Sequence, residues 1–254
     1  MKIQLPENID PNRFGQYVLI LEVHPERFAF FLYHPDNETE QFYCRFPVDQ
    51  RLSAFAQFQE AFFNHVFFTS SFRKILIVNR TPVFTYVPNL LFEEKHKEAY
   101  MQFLFTTVHG KILHQTLSDM TILHVVPEDI YGFLQRSFPE APVVHHTAAP
   151  IAWCKEKGEA IDADRMIIFR QPDGADILCF SRQQMLLSNY FRCQSTEDVV
   201  YYALYIFKQL KFNQLKDFIY LVEAEEELRE RLNKYIQNVV PCEDSQWKIQ
   251  KSAI

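Results

Sequence analysis

Glycine is scarce in this chain: 5 residues in 254, where average composition would give about 18. Loops that cradle phosphates need glycine for bare backbone and left-handed turns, and no Walker loop or dinucleotide fingerprint is present. Clustered basic residues are also missing. A formal net charge of −6 without any basic run excludes a general nucleic-acid binder. No apolar stretch approaches the roughly 18 residues that span a bilayer, which predicts no membrane span. The opening MKIQLPENIDPN is polar and holds two prolines, so no secretory leader is expected and the chain is assigned to the cytoplasm. The five cysteines (44, 154, 179, 193 and 242) are odd in number and form no CxxC pair. They read as reduced, buried thiols rather than a disulfide framework or a zinc site.

Phenylalanine, by contrast, appears 25 times, and a hydrophobic fraction of 48% with 23% charged residues is that of a globular protein of one or two domains. The apolar runs follow a rhythm that occurs twice. YVLILEVHPERFAFFLYHPDNETEQFYCRF (17–46) reads as three strands joined by tight turns, and RMIIFRQPDGADILCFSRQQMLLSNYF (165–191) reads the same way, 148 residues later. Each is followed by a helix. The first runs from Asp49, as N-cap, to Asn64, with apolar residues at 52, 55, 58 and 62; the second runs from Ser195 to Leu210, with Ser195 and Asp198 in capping-box spacing.

The correspondence resumes at an offset of 96, where TILHVVPEDIYGFLQRSFPEAPVVH (121–145) matches DFIYLVEAEEELRERLNKYIQNVVP (217–241) as strand, helix, strand. The change of offset places an insert at about 65–118, with strands in RKILIVN, PVFTYVP and KILHQTL and a helix near 89–104. The expected fold is α/β: two duplicated halves, 1–160 and 161–254, each β-β-β-α-β-α-β with a mixed sheet, and a polar C-terminal tail from Cys242 without fixed structure.

This arrangement resembles the actin-like ATPase superfamily, whose halves are ribonuclease H-like. PVVHHTAAPIAW (142–153) is similar to its connecting segment, and PVFTYVPNLLFEEKHKEAY (82–100) to its Val-Pro segment leading into a helix. VVPEDIYGFLQRSFPEAPVVH resembles the pilus-assembly branch in particular. More narrowly, the whole chain resembles an uncharacterised bacterial family of unknown function with an actin-like fold.

The resemblance implies a nucleotide held between the halves by two Asp-Gly hairpins and a glycine-rich turn, with carboxylates organising magnesium. At the matching positions this chain reads Glu22-Val23-His24-Pro25-Glu26, with an acid but no glycine and a proline that lacks N–H. In the second half it reads Phe169-Arg170-Gln171-Pro172-Asp173-Gly174, with a cation where the acid belongs; Asp173-Gly174 is read as the hairpin turn itself. The expected adenosine turn is Leu221-Val222-Glu223-Ala224-Glu225-Glu226-Glu227, whose carboxylates suit a helix N-terminus and repel phosphate.

No catalytic, cofactor-binding or metal-ligating residue is therefore assigned. His145 and His146, as neighbours on a strand, should point to opposite faces; His124 with one of them and Cys154 is the remaining metal arrangement to test. AFFNHVFFTSSF (61–72) holds five phenylalanines, which either fill the core between the insert and the first half or form an exposed patch that docks a partner. Two functions follow. One is a non-catalytic cytoplasmic scaffold that binds a protein partner and uses no cofactor. The other is a divergent nucleotide-dependent enzyme, an ATPase or phosphotransferase, with Glu22 as its residual acid and Arg170 as a phosphate clamp.

Overall fold

The computed structural model describes residues 4–24, 27–46, 53–157, 162–171, 173–222 and 224–242. Asp49 and the tail beyond Cys242 lie outside them, as do Pro25, Glu26, Pro172 and Glu223. The chain divides into two compact units, residues 1–146 and 147–254.

The first unit opens with the expected meander, β1 (Val18–His24), β2 (Arg27–His34) and β3 (Asn37–Arg45), antiparallel throughout. Helix α1 (Ala54–Asn64) follows, with Ser53 as its N-cap, the hydroxyl accepting from the Ala56 N–H at 3.1 Å. β4 (Lys74–Asn79) then pairs parallel to β1. Next come β5 (Phe84–Pro88), a 3₁₀ turn at Glu94–His96 running into α2 (Lys97–Leu104), β6 (Lys111–Thr116), β7 (Met120–Val126), α3 (Glu128–Ser137) and β8 (Val143–His145). The main sheet has the order β3-β2-β1-β4-β8, with β8 parallel to β4, while β5-β7-β6 form a separate antiparallel sheet.

The insert differs from expectation. RKILIVN supplies the fourth strand of the main sheet, and TILHVV is the middle strand of the lobe. The lobe is thus built from residues between the end of β4 and the start of α3. Both strands are short, apolar and buried, so hydrophobic periodicity cannot tell which sheet either one joins. The helix expected near 89–104 is also shorter, because residues 89–91 form a turn and the 3₁₀ segment begins only at Glu94.

In the second unit α4 (Ala148–Lys157) precedes β9 (Arg165–Gln171), β10 (Gly174–Ser181), β11 (Gln184–Arg192), α5 (Thr196–Gln209), β12 (Phe218–Val222), α6 (Glu226–Asn233) and β13 (Asn238–Cys242). The sheet order β11-β10-β9-β12-β13 repeats the first unit's order and strand directions. Helix α4 lies with this unit, Trp153 meeting Tyr220 edge to face at 5.4 Å, so the division falls before the helix rather than after it.

Phenylalanine explains how the first core is filled. Phe58 and Phe62 of α1 and Phe133 of α3 cover Phe28 and Phe30, with Phe28 stacked on Phe46 at 4.1 Å. Each buried ring contributes about 2–3 kcal/mol by leaving water. Phe67 and Phe68 join the same cluster, so the AFFNHVFFTSSF run is mainly core of the first sheet, and only Phe63 stands well out, at 74% exposure. The lobe keeps its own small core of Val87, Met101, Ile112, Leu123 and Val125. In the second unit Val199, Ala203 and Phe207 of α5 pack over Met166, Ile168 and Ile177, and the Ser195–Asp198 capping box forms as expected.

Candidate functional site

In open α/β sheets, ligand chemistry gathers where parallel strands end. At those ends of the first sheet stand Glu22 on β1, Asn79 on β4, Arg80 just beyond it, and His145 on β8, with Val23 opposite Asn79 and Asn79 opposite His145. All of these polar residues are buried, as are His24, Thr81, His124 and His146. Burying so many polar groups is costly unless they satisfy one another. Glu22 pairs with the Arg80 guanidinium, both only 2% exposed. Residue spacing carries no sign of this pair, because Arg80 lies 58 residues further along the chain.

Beside that pair, Asn79 Nδ2 donates to His124 Nδ1 at 2.8 Å and to the Val125 carbonyl at 2.9 Å. His124 Nδ1 is therefore the acceptor, and the ring's proton sits on Nε2. Burial, reinforced by the neighbouring His146, pushes the His124 pKa down to about 3. His145, also buried beside His146 and His124, is held well below the ordinary histidine range. The rings of His124 and His145 lie 5.3 Å apart and those of His145 and His146 4.3 Å. This corrects the opposite-face expectation for the adjacent pair: β8 ends at His145, so strand alternation no longer applies at His146. Among the described residues no group of three or more His, Cys, Asp or Glu side chains is arranged to hold a metal ion. Cys154 is buried in α4, where loss of water raises its thiol to about 12.

The corresponding hairpin of the second unit is closed differently. Arg170 Nη1 donates to the carbonyls of Gln171 and, at 2.7 Å, Gly174, while its Nε lies 3.8 Å from the Glu225 carboxylate. The guanidinium thus staples the two strands of its own hairpin. Asp173 and Gly174 form the turn and the start of β10, as expected. A Cβ on Gly174 would collide with the Phe191 carbonyl and the Tyr190 phenol, so a close approach, rather than a left-handed backbone, requires glycine there. Asp176, which carried no motif, is the buried carboxylate of this hairpin and accepts from Gln171 Nε2 at 3.2 Å. Glu225 to Glu227 occupy the N-terminus of α6, consistent with the helix dipole.

A second feature lies on the lobe side of the first unit. The outer edges of β8 and β6 border a groove of about 380 Å³, with Leu113, Tyr131 and Val143 in its walls and Lys97, Lys111 and Glu94 around it. Further along the same two strands, Gln115 Oε1 of β6 accepts from the His145 N–H of β8 at 3.0 Å. Among the described residues neither outer edge is paired with another strand.

The profile of a family described as "Protein of unknown function (DUF3822)" matches residues 6–239. The chain belongs to this family. Its fold is that of the actin-like ATPases: a solved Bacteroides thetaiotaomicron protein with actin-like ATPase fold and unknown function is 28% identical, covers 94% of this chain and 98% of its own, and superposes with a TM-score of 0.82. PilM in a PilM–PilN type IV pilus biogenesis complex shares the fold at 12% identity, with 91% and 89% coverage and a TM-score of 0.55. The curated proteins contain no match. Among the described residues no helix of this family member is long and apolar enough to cross a membrane.

Proposed function

We propose that this protein is a cytoplasmic partner-binding member of the actin-like fold that has given up nucleotide chemistry. The observation that carries this reading is the Glu22–Arg80 pair. A carboxylate that organises magnesium must face the ion and its waters; this one is buried and neutralised by a guanidinium. Arg170 supports the same reading, because its nitrogens close the hairpin instead of reaching toward a phosphate. In the absence of a nucleotide to sense, the remaining use of the scaffold is to present surface. The groove between β6 and β8 supports a peptide-binding reading, since β6 has no strand on its outer side among the described residues and can supply backbone hydrogen bonds to an extended segment. PilM, solved together with PilN, is a protein of this fold that assembles with a protein partner.

The test is affinity capture from a lysate of cells that express the protein, comparing wild type with a Lys97→Glu/Lys111→Glu variant at the groove. A partner retained by the wild type and lost by the variant is expected. Retention of the same proteins by both, or of none by either, contradicts the reading.

A further inference from the structure

The groove on the lobe side of the first unit has a charge as well as a shape. β6 reads KILHQT, and its two faces look different ways: Ile112 packs in the lobe core with Met101 of α2, while Leu113 packs against the core of the main sheet. Val125, opposite Ile112 in the ladder, sends its N–H away to the Val83 carbonyl at 3.2 Å. Ladder bonds alternate along an antiparallel pair, so Ile112 and His114 turn their backbone N–H and C=O outward, to the edge that has no strand beside it among the described residues. Lysines flank that edge on both faces. Lys111 shares the face of Leu113, and Lys97 stands on α2, the helix that covers the face of Ile112. Among the described residues neither ammonium meets a carboxylate, and Glu94 lies 3.9 Å from His114 Nδ1 instead. A second hollow of about 400 Å³ shares Ala141 and Pro142 with the groove; it adds Glu140, Lys74 and Arg73, the last also meeting Asp36 at 3.2 Å. Basic side chains thus outnumber carboxylates around both hollows.

We infer that the β6 edge takes an extended acidic peptide, which adds to the lobe sheet as a further strand beside β6 and sets its carboxylates against Lys97 and Lys111. The inference rests on the partner-binding reading above and names the chemistry of the partner. Regularly spaced outward N–H and C=O groups match another polypeptide backbone, which neither a nucleic acid nor a small anion offers. Charge then selects among polypeptides. Alternate side chains of an added strand point to opposite faces, so an acidic residue on each face finds a lysine. A second copy of β6 would bring its own Lys111 to the same edge, where like charges oppose the pairing. The net charge of −6 does not reverse this preference, since at about 0.1 M salt exposed charges more than about 10 Å apart are largely screened.

The experiment selects displayed random peptides of about twelve residues on the purified full chain, then measures the affinity of the synthesised peptides by fluorescence anisotropy. Peptides rich in Asp and Glu are expected, with binding weakened at least about tenfold in the Lys97→Glu/Lys111→Glu variant, which sets like charges against them. Hydrogen exchange at Ile112 and His114 should slow when such a peptide binds the wild-type protein. His114→Pro, which removes one outward N–H from the edge, should abolish binding. Neutral or basic peptides that protect these two amides, or acidic ones that the charge reversal does not weaken, overturn the acidic assignment while leaving the partner-binding reading in place. Peptides that protect neither amide, or no selected peptide at all, overturn the groove reading as well. Should His114→Pro lose its native circular dichroism spectrum, wild-type exchange alone decides: protection of the two amides supports strand addition, and its absence refutes it.

Discussion

At the scale of single residues, charge burial determines what this protein can and cannot do. Replacing Glu22 by glutamine removes one carboxylate from beside the buried Arg80 guanidinium, and a loss of about 3–5 kcal/mol in urea unfolding is expected, whereas Glu22→Leu with Arg80→Met should recover most of it. A Glu22→Gln protein as stable as wild type would mean that the carboxylate is free for other work. Arg165 presents the opposite case. It is fully buried, donates to the Arg182 carbonyl, and is paired with no carboxylate among the described residues. Arg165→Met should therefore stabilise the second unit by about 1–4 kcal/mol, and a marked loss instead would reveal a counter-charge. The histidines set a pH window. His124 titrates near 3 when folded and near 6.5 when unfolded, and His145 is shifted in the same direction, so between those values the unfolded chain binds more protons. Their stabilising contribution is complete above about pH 6.5 and declines as pH falls, by up to about 1.4 kcal/mol per pH unit for each ring. Stability measured from pH 7 to 4 should lose one ring's share of that slope in His124→Gln.

At the scale of elements, what could be read in advance depended on whether the signal was local. The capping box at Ser195 is a four-residue pattern and appears where it was expected; Ser195→Ala should cost about 1 kcal/mol by chemical denaturation, and no loss would mean that α5 is held by packing alone. The three-strand meanders were also legible, because turn residues separate apolar runs of strand length. The identity of the fourth strand was not. KILIVN and TILHVV are both buried apolar strands, and only non-local pairing decides that the first lies beside β1 and the second within the lobe. Glu22 could be located from its place in the hairpin, but its partner Arg80 could not, since a contact across 58 residues leaves no trace in spacing. The same limit hid the Asn79–His124 bond, which spans 45 residues.

At the scale of the whole molecule, the shortage of glycine and the buried ion pair have a common consequence. A fold that elsewhere binds nucleotide retains its two sheets of matching topology here, while the groups at the strand ends bind each other. The most direct check is a thermal unfolding series of the purified full chain with ATP and ADP, each with magnesium. A ligand that binds only the folded state, present at about a hundred times its dissociation constant, adds roughly 2.7 kcal/mol and visibly raises the melting temperature. No rise up to millimolar nucleotide is expected; a rise that depends on magnesium and disappears in Glu22→Gln would contradict the account.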